Sequence, residues 1–269
     1  MKRLGLVLLI AISGLAVFAA GLWIWGAWHD EWSGFNASLE YSNGWCNVAV
    51  IPITGDIIPG MGTEESVGGD EVLAALRMAE SDSGLIGVLL RIDSPGGSAS
   101  ASEAIADHLK ASWLPSVALI REIGTSGAYM AATGADRIYA SEFSDVGGIG
   151  VTMSYVENVR QNDEDGLDFV SLASAPYKDY MNPNAPLTDE ERTLLERDLA
   201  VYHDAFVRFV AENRGLPIET VQELADGASV PGSVALEQKL VDALGGQDDT
   251  KAWFAEQAGI SPEEVVFCD

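Results

Sequence analysis

The chain has 269 residues, enough for one large domain or two small ones, and its 48% hydrophobic content is sufficient for a packed core. This composition argues against an overall disordered chain. The net charge of −26, from 41 acidic and 15 basic residues, argues against nucleic acid or an anionic membrane surface as a partner. Solubility would explain this acidity, and so would a saline habitat, because salt screens the repulsion among carboxylates.

Residues 1–28 have the composition of a membrane-spanning segment. Lys2 and Arg3 precede an uncharged run from Leu4 to Gly26, which ends among tryptophans. A hydrocarbon core about 30 Å thick takes roughly 20 helical residues, and tryptophan favours its interface. We therefore predict a transmembrane signal anchor with a cytoplasmic N-terminus.

This anchor sets the expected organisation of the rest of the chain. A juxtamembrane segment at 29–46 would lead to a folded domain at 47–269, outside the cytoplasm and attached to the cytoplasmic (inner) membrane. The alternative is a signal peptide cleaved near Val17-Phe18-Ala19. The apolar run continues beyond that site and exceeds the usual ~7–15 residues of a signal-peptide core, which favours the anchor.

Short apolar runs alternate with helical patterns through the first half of this domain. Almost wholly apolar strands are typical of a parallel sheet covered on both faces, so the pattern predicts an α/β fold. The predicted strands are Asn47–Ile53, Leu85–Ile92, Ser116–Ile120, Arg137–Ala140 and Phe169–Ala173, and the predicted helices are Asp70–Ser81, Ser100–Ala111 and one that starts near Ser126.

From Thr188 onward the pattern becomes helical. Thr188 and Glu191 have the spacing of a capping box, and leucines and aromatic residues follow at three- and four-residue intervals. Such a stripe is more typical of a core face than of a cofactor site. Further helices are predicted at Pro217–Asp226, Ser233–Leu244 and Asp249–Ala258.

A glycine pair lies where a predicted strand meets a helix, in Asp93-Ser94-Pro95-Gly96-Gly97-Ser98. Glycine permits positive φ and lets backbone N–H groups approach a ligand, and a helix N-terminus favours negative charge. A plain strand-to-helix turn explains the segment equally well. Phosphate binding is disfavoured because the P-loop spacing and its lysine are absent.

Ser126 lies one strand later, between Gly124 and Gly127, again at a strand-to-helix turn. It could be a nucleophile held at a tight turn, or it could simply cap the helix. Position 128 is alanine, so the G-x-S-x-G elbow of α/β-hydrolases is incomplete and that class is disfavoured.

A serine nucleophile needs a base, and the three histidines are poorly placed for this role. His29 precedes the domain, while His108 and His203 lie within predicted helices. Among the five lysines, Lys178 alone falls in a loop close after a predicted core strand. Burial lowers the pKa of a lysine ammonium, whereas a carboxylate such as Asp179 favours the charged form, so a lysine base would need a dry, shielded site.

The two cysteines, Cys46 and Cys268, lie near opposite ends of the predicted domain and have no metal-type spacing. A disulfide between them is possible, and the sequence leaves this question open.

The motifs, taken in order, resemble those of the signal peptide peptidase A family of membrane-bound serine peptidases (family S49), in its short single-domain form. They are Ser-Pro-Gly-Gly at 94–97, Thr-Ser-Gly-Ala-Tyr at 125–129, Ala-Asp-Arg-Ile-Tyr-Ala at 135–140, Gly-Gly-Ile-Gly-Val at 147–151, Tyr-Lys-Asp at 177–179 and Ala-Asp-Gly at 225–227. The chain departs from the family at Val230-Pro231-Gly232, after Lys178, and at Ile123-Gly124-Thr125 before Ser126. These departures bear on the specificity pockets more than on the mechanism.

The resemblance implies a ClpP/crotonase-like core with Ser126 as nucleophile, Lys178 as general base, and an oxyanion hole formed by the N–H groups of Gly97 and Gly127. It also implies a homo-oligomer in which neighbouring subunits share the serine and the lysine. Signal peptides and other extended peptides would be the substrates, and no metal or cofactor would be required.

Two alternatives from other classes remain at this point. In a crotonase-like acyl-CoA enzyme, the glycine-lined hole would polarise a thioester and Ser126 would be a structural cap. A catalytically silent membrane scaffold would keep the same residues only as caps. The predicted anchor and the location outside the cytoplasm argue against coenzyme A.

Overall fold

A computed structural model describes residues 45–268. The predicted anchor at 1–28 and nearly all of the juxtamembrane segment at 29–46 lie outside these described residues. Within 45–268, none of the helices combines the length and the apolar character needed to cross a membrane.

The described chain alternates strands and helices, which confirms the predicted α/β class. The strands are β1 Val48–Ile58, β2 Ser66–Gly68, β3 Gly87–Gly97, β4 Ser116–Thr125, β5 Arg137–Ala140, β6 Asp145–Gly147, β7 Ser229–Pro231, β8 Ala243–Leu244 and β9 Phe267–Cys268. The helices are α1 Gly69–Ser81, α2 Ala99–Ala111, α3 Gly127–Ala132, α4 Val159–Glu164, α5 Asp189–Arg214, α6 Ile218–Leu224, α7 Gly232–Glu237 and α8 Gln247–Ala258.

The sheet has the order β2-β1-β3-β4-β5-β8, with its strands parallel. β9 runs parallel to β1, and β6 continues beside β4, where it pairs antiparallel with β7. Because the strands are parallel, the ends of β3 and β4 lie at the same edge of the sheet. Ser94 of β3 faces Gly124 of β4 at this edge, two residues before Ser126.

Alternate residues of the central strands face two separate cores, as expected for strands buried on both sides. On one face, Ile92 and Ile120 pack with α1, α2, α3 and the second half of α5, which contributes Val210. On the other face, Leu89 packs beneath α8, which contributes Phe254. The apolar stripe of α5 is therefore largely a core face, as predicted, and it brings α5 next to α3.

Two predicted elements are wrong. The predicted strand Phe169–Ala173 has no strand pairing in the structure, and Leu172 is 95% exposed. Its apolar residues resemble a strand, but no neighbouring strand of the described chain completes its hydrogen bonds. The helix predicted over Ser233–Leu244 ends at Glu237, because Lys239 adopts a left-handed φ of 61° and the chain then enters β8.

The possible disulfide is formed. Cys46 and Cys268 are bonded, with their Cα atoms 5.2 Å apart and a sequence separation of 222. The bond ties the residue that precedes β1 to β9, at the far end of the described chain.

Candidate active site

Ser126 occupies a strained turn between β4 and α3. Its φ of 53° and ψ of −125° are rare for a residue with a side chain, and its backbone N–H donates to Gly147 O at 2.7 Å. The Ser126 side chain makes no capping hydrogen bond, although the residue occupies the N-cap position. Strain of this kind persists where the surrounding structure fixes it, most often at functional sites. The hydroxyl of Ser126 is therefore not used to cap α3.

The glycine pair approaches this turn so closely that a side chain would not fit. Gly96 and Gly97 have φ values of 103° and 143°. A Cβ built on Gly96 would lie 2.6 Å from Gly127 N and 2.9 Å from Ser126 Cβ, and one on Gly97 would lie 2.2 Å from Ile57 O. The end of β3 is therefore packed directly against Ser126 and Gly127.

The two predicted oxyanion donors are neighbours in space. A Cβ built on Gly127 would lie 3.1 Å from Gly97 N. Gly127 is the first residue of α3, a position at which the N–H group has no acceptor within its own helix. The backbone at Gly97 and Gly127 thus meets beside Ser126, so the two predicted donors are adjacent to the predicted nucleophile.

A cavity of about 580 Å³ opens at this point, and Ser126, Gly97 and Gly127 all line it. Its other walls are mostly apolar and come from α2, α3, α5 and the segment after Gly150. They include Ala99, Met130, Val151, Phe206 and Phe209, with Asp56 and Glu103 as the acidic members.

Within one copy of the chain, Lys178 lies outside the cavity that Ser126 lines. Its side chain is exposed, its backbone N–H donates to Ala175 O at 3.2 Å, and it is not among the residues that line the cavity. The next residue, Asp179, accepts hydrogen bonds from Ser171 and Asn182, which lower the pKa of its carboxyl. One copy of the chain therefore brings together three of the four predicted site residues, and leaves Lys178 apart from them.

Lys178 belongs to a segment, residues 151–187, that exposes many apolar side chains. We call this segment the arm. Soluble monomers seldom expose a run of large apolar side chains without using it to bind something. The exposed apolar residues of the arm are Val151, Met153, Tyr155, Val156, Leu167, Phe169, Val170, Leu172, Tyr177 and Tyr180.

The histidines of the described chain do not line the cavity. His108 Nε2 lies 3.3 Å from Glu80 Oε1, and His203 Nε2 lies 2.8 Å from Ala225 O. Both have local packing or surface contacts, as the sequence predicts. His29 is outside the described residues.

Sequence reasoning missed the roles of four residues at the site. Thr125 Oγ1 donates to Pro95 O at 3.1 Å, and Ser94 Oγ accepts from Gly96 N at 3.1 Å, so side chains fix the glycine loop. Phe206 and Phe209 of α5 form a cavity wall as well as a core face. Their helical spacing signals burial, but no local pattern indicates which side chains border a cavity formed by distant elements.

A strained serine beside two adjacent backbone amides, at the end of a parallel α/β sheet, is an arrangement suited to a serine hydrolase. Comparison with known proteins specifies the family. The model of peptidase family S49 matches residues 108–261. This chain belongs to peptidase family S49, and it is a serine peptidase.

Several curated relatives carry peptidase names. A Synechocystis sp. protein named provisionally as a protease, slr0021, is 35% identical over 81% of this chain and 76% of its own length. An Enterococcus faecium protein named provisionally as signal peptide peptidase SppA is 30% identical over 72% of this chain and 57% of its own length. Protease 4 of Haemophilus influenzae is 33% identical over 77% of this chain, which spans only 34% of that relative.

A solved structure shares the fold. An alanine mutant of the 1510-N membrane-bound stomatin-specific protease superposes with a TM-score of 0.54 over 83% of this chain and 93% of its own, at 16% sequence identity. At this level of identity, the likeness concerns the fold alone.

Proposed function

We propose that this protein is a membrane-anchored serine endopeptidase that uses Ser126 as nucleophile and Lys178 as general base. The observation that carries the proposal is the position of Ser126. This residue has a strained backbone, its side chain does not cap α3, and it lines a cavity together with Gly97 and Gly127. The fold shared with the 1510-N protease supports a ClpP/crotonase-like core.

In the proposed reaction, the uncharged amine of Lys178 removes the proton from Ser126 Oγ, which attacks a peptide carbonyl carbon. The carbonyl oxygen becomes an oxyanion that accepts hydrogen bonds from the N–H groups of Gly97 and Gly127. When the intermediate collapses, the C–N bond breaks and the Lys178 ammonium returns the proton to the leaving amine. Water, activated by the same amine, then hydrolyses the acyl-enzyme.

The lysine would come from a neighbouring copy of the chain. Lys178 is exposed and remote from the cavity lining in one copy, and the arm that carries it exposes a row of apolar side chains. Packing of the arm against a second subunit would cover this apolar surface and remove water from the amine. Burial of a lysine amine disfavours its charged form, which is what a general base requires.

The cavity supports extended, apolar peptides as substrates. Its walls are mainly apolar, and the name of the Enterococcus faecium relative suggests signal peptides as one class. The uncharged run from Leu4 to Gly26 supports attachment to the cytoplasmic membrane, with the catalytic domain outside the cytoplasm. Such a location would give the enzyme access to signal peptides left in the bilayer.

Activity-based labelling of the detergent-solubilised oligomer tests this proposal. A fluorophosphonate should modify Ser126, identified by mass spectrometry of the labelled peptide, and the protein should cleave apolar peptides. Ser126→Ala and Lys178→Ala should each abolish labelling and cleavage, whereas Lys251→Ala, a lysine on the surface of α8, should leave both unchanged. Undiminished cleavage by either of the first two variants would refute the assignment, and thioester turnover that survives Ser126→Ala would favour an acyl-CoA enzyme instead.

A further inference from the structure

The end of β3, a glycine loop that carries the predicted oxyanion donor, stays paired with β1 through Gly97 but loses its backbone ladder to β4 earlier. The last register pair between β3 and β4 is Ser94 with Gly124, after a shift between Ile92 and Ser94. Beyond Ser94, a side chain makes the connection from β4 to the loop. Thr125 Oγ1 donates to Pro95 O at 3.1 Å, and the direction of this bond is fixed because a carbonyl can only accept.

Both ends of the peptide unit between Pro95 and Gly96 are held by side chains. Thr125 binds its carbonyl oxygen, and its N–H, which is Gly96 N, donates to Ser94 Oγ at 3.1 Å. Ser94 is fully buried and Thr125 is 9% exposed, so water competes weakly for these bonds. This peptide plane therefore has a defined orientation.

The peptide unit between Gly97 and Ser98 is fixed as well, because Ser98 N donates to Ile57 O at 2.7 Å. Between these two fixed units lies the peptide that joins Gly96 to Gly97, and its N–H is the donor predicted for the oxyanion hole. Two glycines in succession allow such a peptide to rotate at little steric cost. The bonds on either side, together with the pairing of Gly96 and Gly97 with β1, restrict that rotation and so direct the Gly97 N–H.

We propose that Thr125 is a positioning residue that orients the Gly97 N–H toward the oxyanion through its hydrogen bond to Pro95 O. This role rests on the proposed function of Ser126 and Gly97. Thr125 does not line the cavity; it precedes the proposed nucleophile in sequence and fixes the loop opposite. This hydrogen bond would thereby hold the turn that carries Ser126 and the loop that carries Gly97 in a fixed position relative to each other.

The test replaces the hydroxyl while keeping the shape of the side chain. Thr125→Val should lower kcat by about 10- to 100-fold with KM changed less than about threefold, because the oxyanion donor is mispositioned while ground-state binding is retained. Thr125→Ser keeps the donor and should retain most of kcat. The inhibition constant of a peptide aldehyde, which forms an oxyanion in the same hole, should rise with Thr125→Val in proportion to the loss in kcat.

Thr250→Val is the matched control. Thr250 is also fully buried and its Oγ1 donates to a backbone carbonyl, Gln247 O, at 2.7 Å, but it lies on α8 at the opposite face of the sheet. Both valine variants should lose thermal stability to a similar degree, and only Thr125→Val should lose kcat. If Thr125→Val fails to assemble, Thr125→Ala and Thr125→Ser provide the same comparison.

A kcat and an aldehyde affinity that stay at the wild-type level in Thr125→Val or Thr125→Ala would overturn the proposal, as would an equal loss in Thr125→Ser. If the wild-type protein cleaves peptides and is labelled at Ser126 while these variants are unaffected, only the role of Thr125 fails. If the wild-type protein is labelled at another residue, the proposed function fails together with it.

Discussion

Gly127 lies directly against Ser102: a Cβ added at Gly127 would sit 2.6 Å from Ser102 Oγ and 3.1 Å from Gly97 N. Ser102 is fully buried, and its Oγ donates to Ser98 O at 2.9 Å, so it cannot turn away without losing that bond. The residue after Ser126 therefore has to be glycine for the two amide groups to meet as they do.

Gly127→Ala should consequently impair catalysis more than folding. We expect a loss in kcat of ~10²–10³, the effect of removing one oxyanion donor, because the methyl group pushes the Gly127 amide away from its position. Gly246→Ala is a suitable control, since a Cβ at Gly246 would meet nothing within 4 Å. Steady-state kinetics of both variants checks this, and wild-type kcat in Gly127→Ala would contradict it.

Tyr129 ties α3 to the turn that leads into β8. Its side chain is fully buried and its hydroxyl donates to Leu240 O at 2.8 Å. Burial raises the pKa of the Tyr129 hydroxyl well above its ordinary value, an effect that Arg214 opposes and Asp242 reinforces. Tyr129→Phe should lower the free energy of unfolding at neutral pH by about 1–2 kcal/mol, because the Leu240 carbonyl loses its partner.

The raised pKa of Tyr129 also predicts a pH dependence. Above about pH 10 the unfolded chain loses this proton while the folded chain keeps it, so the stability contributed by the neutral hydroxyl is lost as pH rises, by roughly 1.4 kcal/mol per pH unit. Urea unfolding between pH 8 and pH 11 should show a shallower alkaline decline in Tyr129→Phe than in the wild type or in Tyr202→Phe, where the tyrosine is exposed. Identical declines in all three proteins would contradict this.

The disulfide joins Cys46 and Cys268, which are separated by 222 positions in the sequence. A cross-link of this span restricts the unfolded chain strongly, so its loss should reduce the free energy of unfolding by about 2–5 kcal/mol. The double variant Cys46→Ser/Cys268→Ser and the reduced wild type should show the same lowered Tm, and reductant should have no further effect on the variant. A Tm that does not respond to either change would show that the bond adds no stability.

The net charge of −26 predicts a dependence on salt. Repulsion among the surface carboxylates destabilises the folded chain, and its range shrinks from about 10 Å at 0.1 M to about 3 Å at 1 M salt. Thermal unfolding in increasing sodium chloride should therefore give a rising Tm. A Tm that is unchanged by salt would contradict the prediction.

Much of the fold follows from the sequence because its signals are local. The apolar run Leu85–Ile92 and the capping pair Thr188 and Glu191 define β3 and the start of α5 without reference to the rest of the chain. Strand lengths are less well predicted: β3 continues through Gly97 because it pairs there with β1. The three-residue strands β2, β6 and β7 are too short to show an alternation of apolar and polar residues. They are defined only by their hydrogen-bonded pairing with neighbouring strands.

The residues of the site also differ in how well the sequence predicts them. Ser126, Gly97 and Gly127 are predicted from the resemblance of their motifs to those of family S49, and the parallel strands bring the ends that carry them together. The contact between Thr125 and Pro95 depends on the register of two strands, which no local pattern specifies. The role predicted for Lys178 cannot be derived from one copy, because its side chain is exposed in the described part of the chain and does not line the cavity.

Complementation between two inactive variants tests the shared dyad most directly. Ser126→Ala subunits keep Lys178, and Lys178→Ala subunits keep Ser126, so sites that join the two kinds of subunit are complete only if the residues come from different copies. When the variants are unfolded, mixed in equal amounts and reassembled, the account predicts that about a quarter of the wild-type activity returns, as random assembly of such sites requires. A mixture as inactive as either variant alone would contradict it.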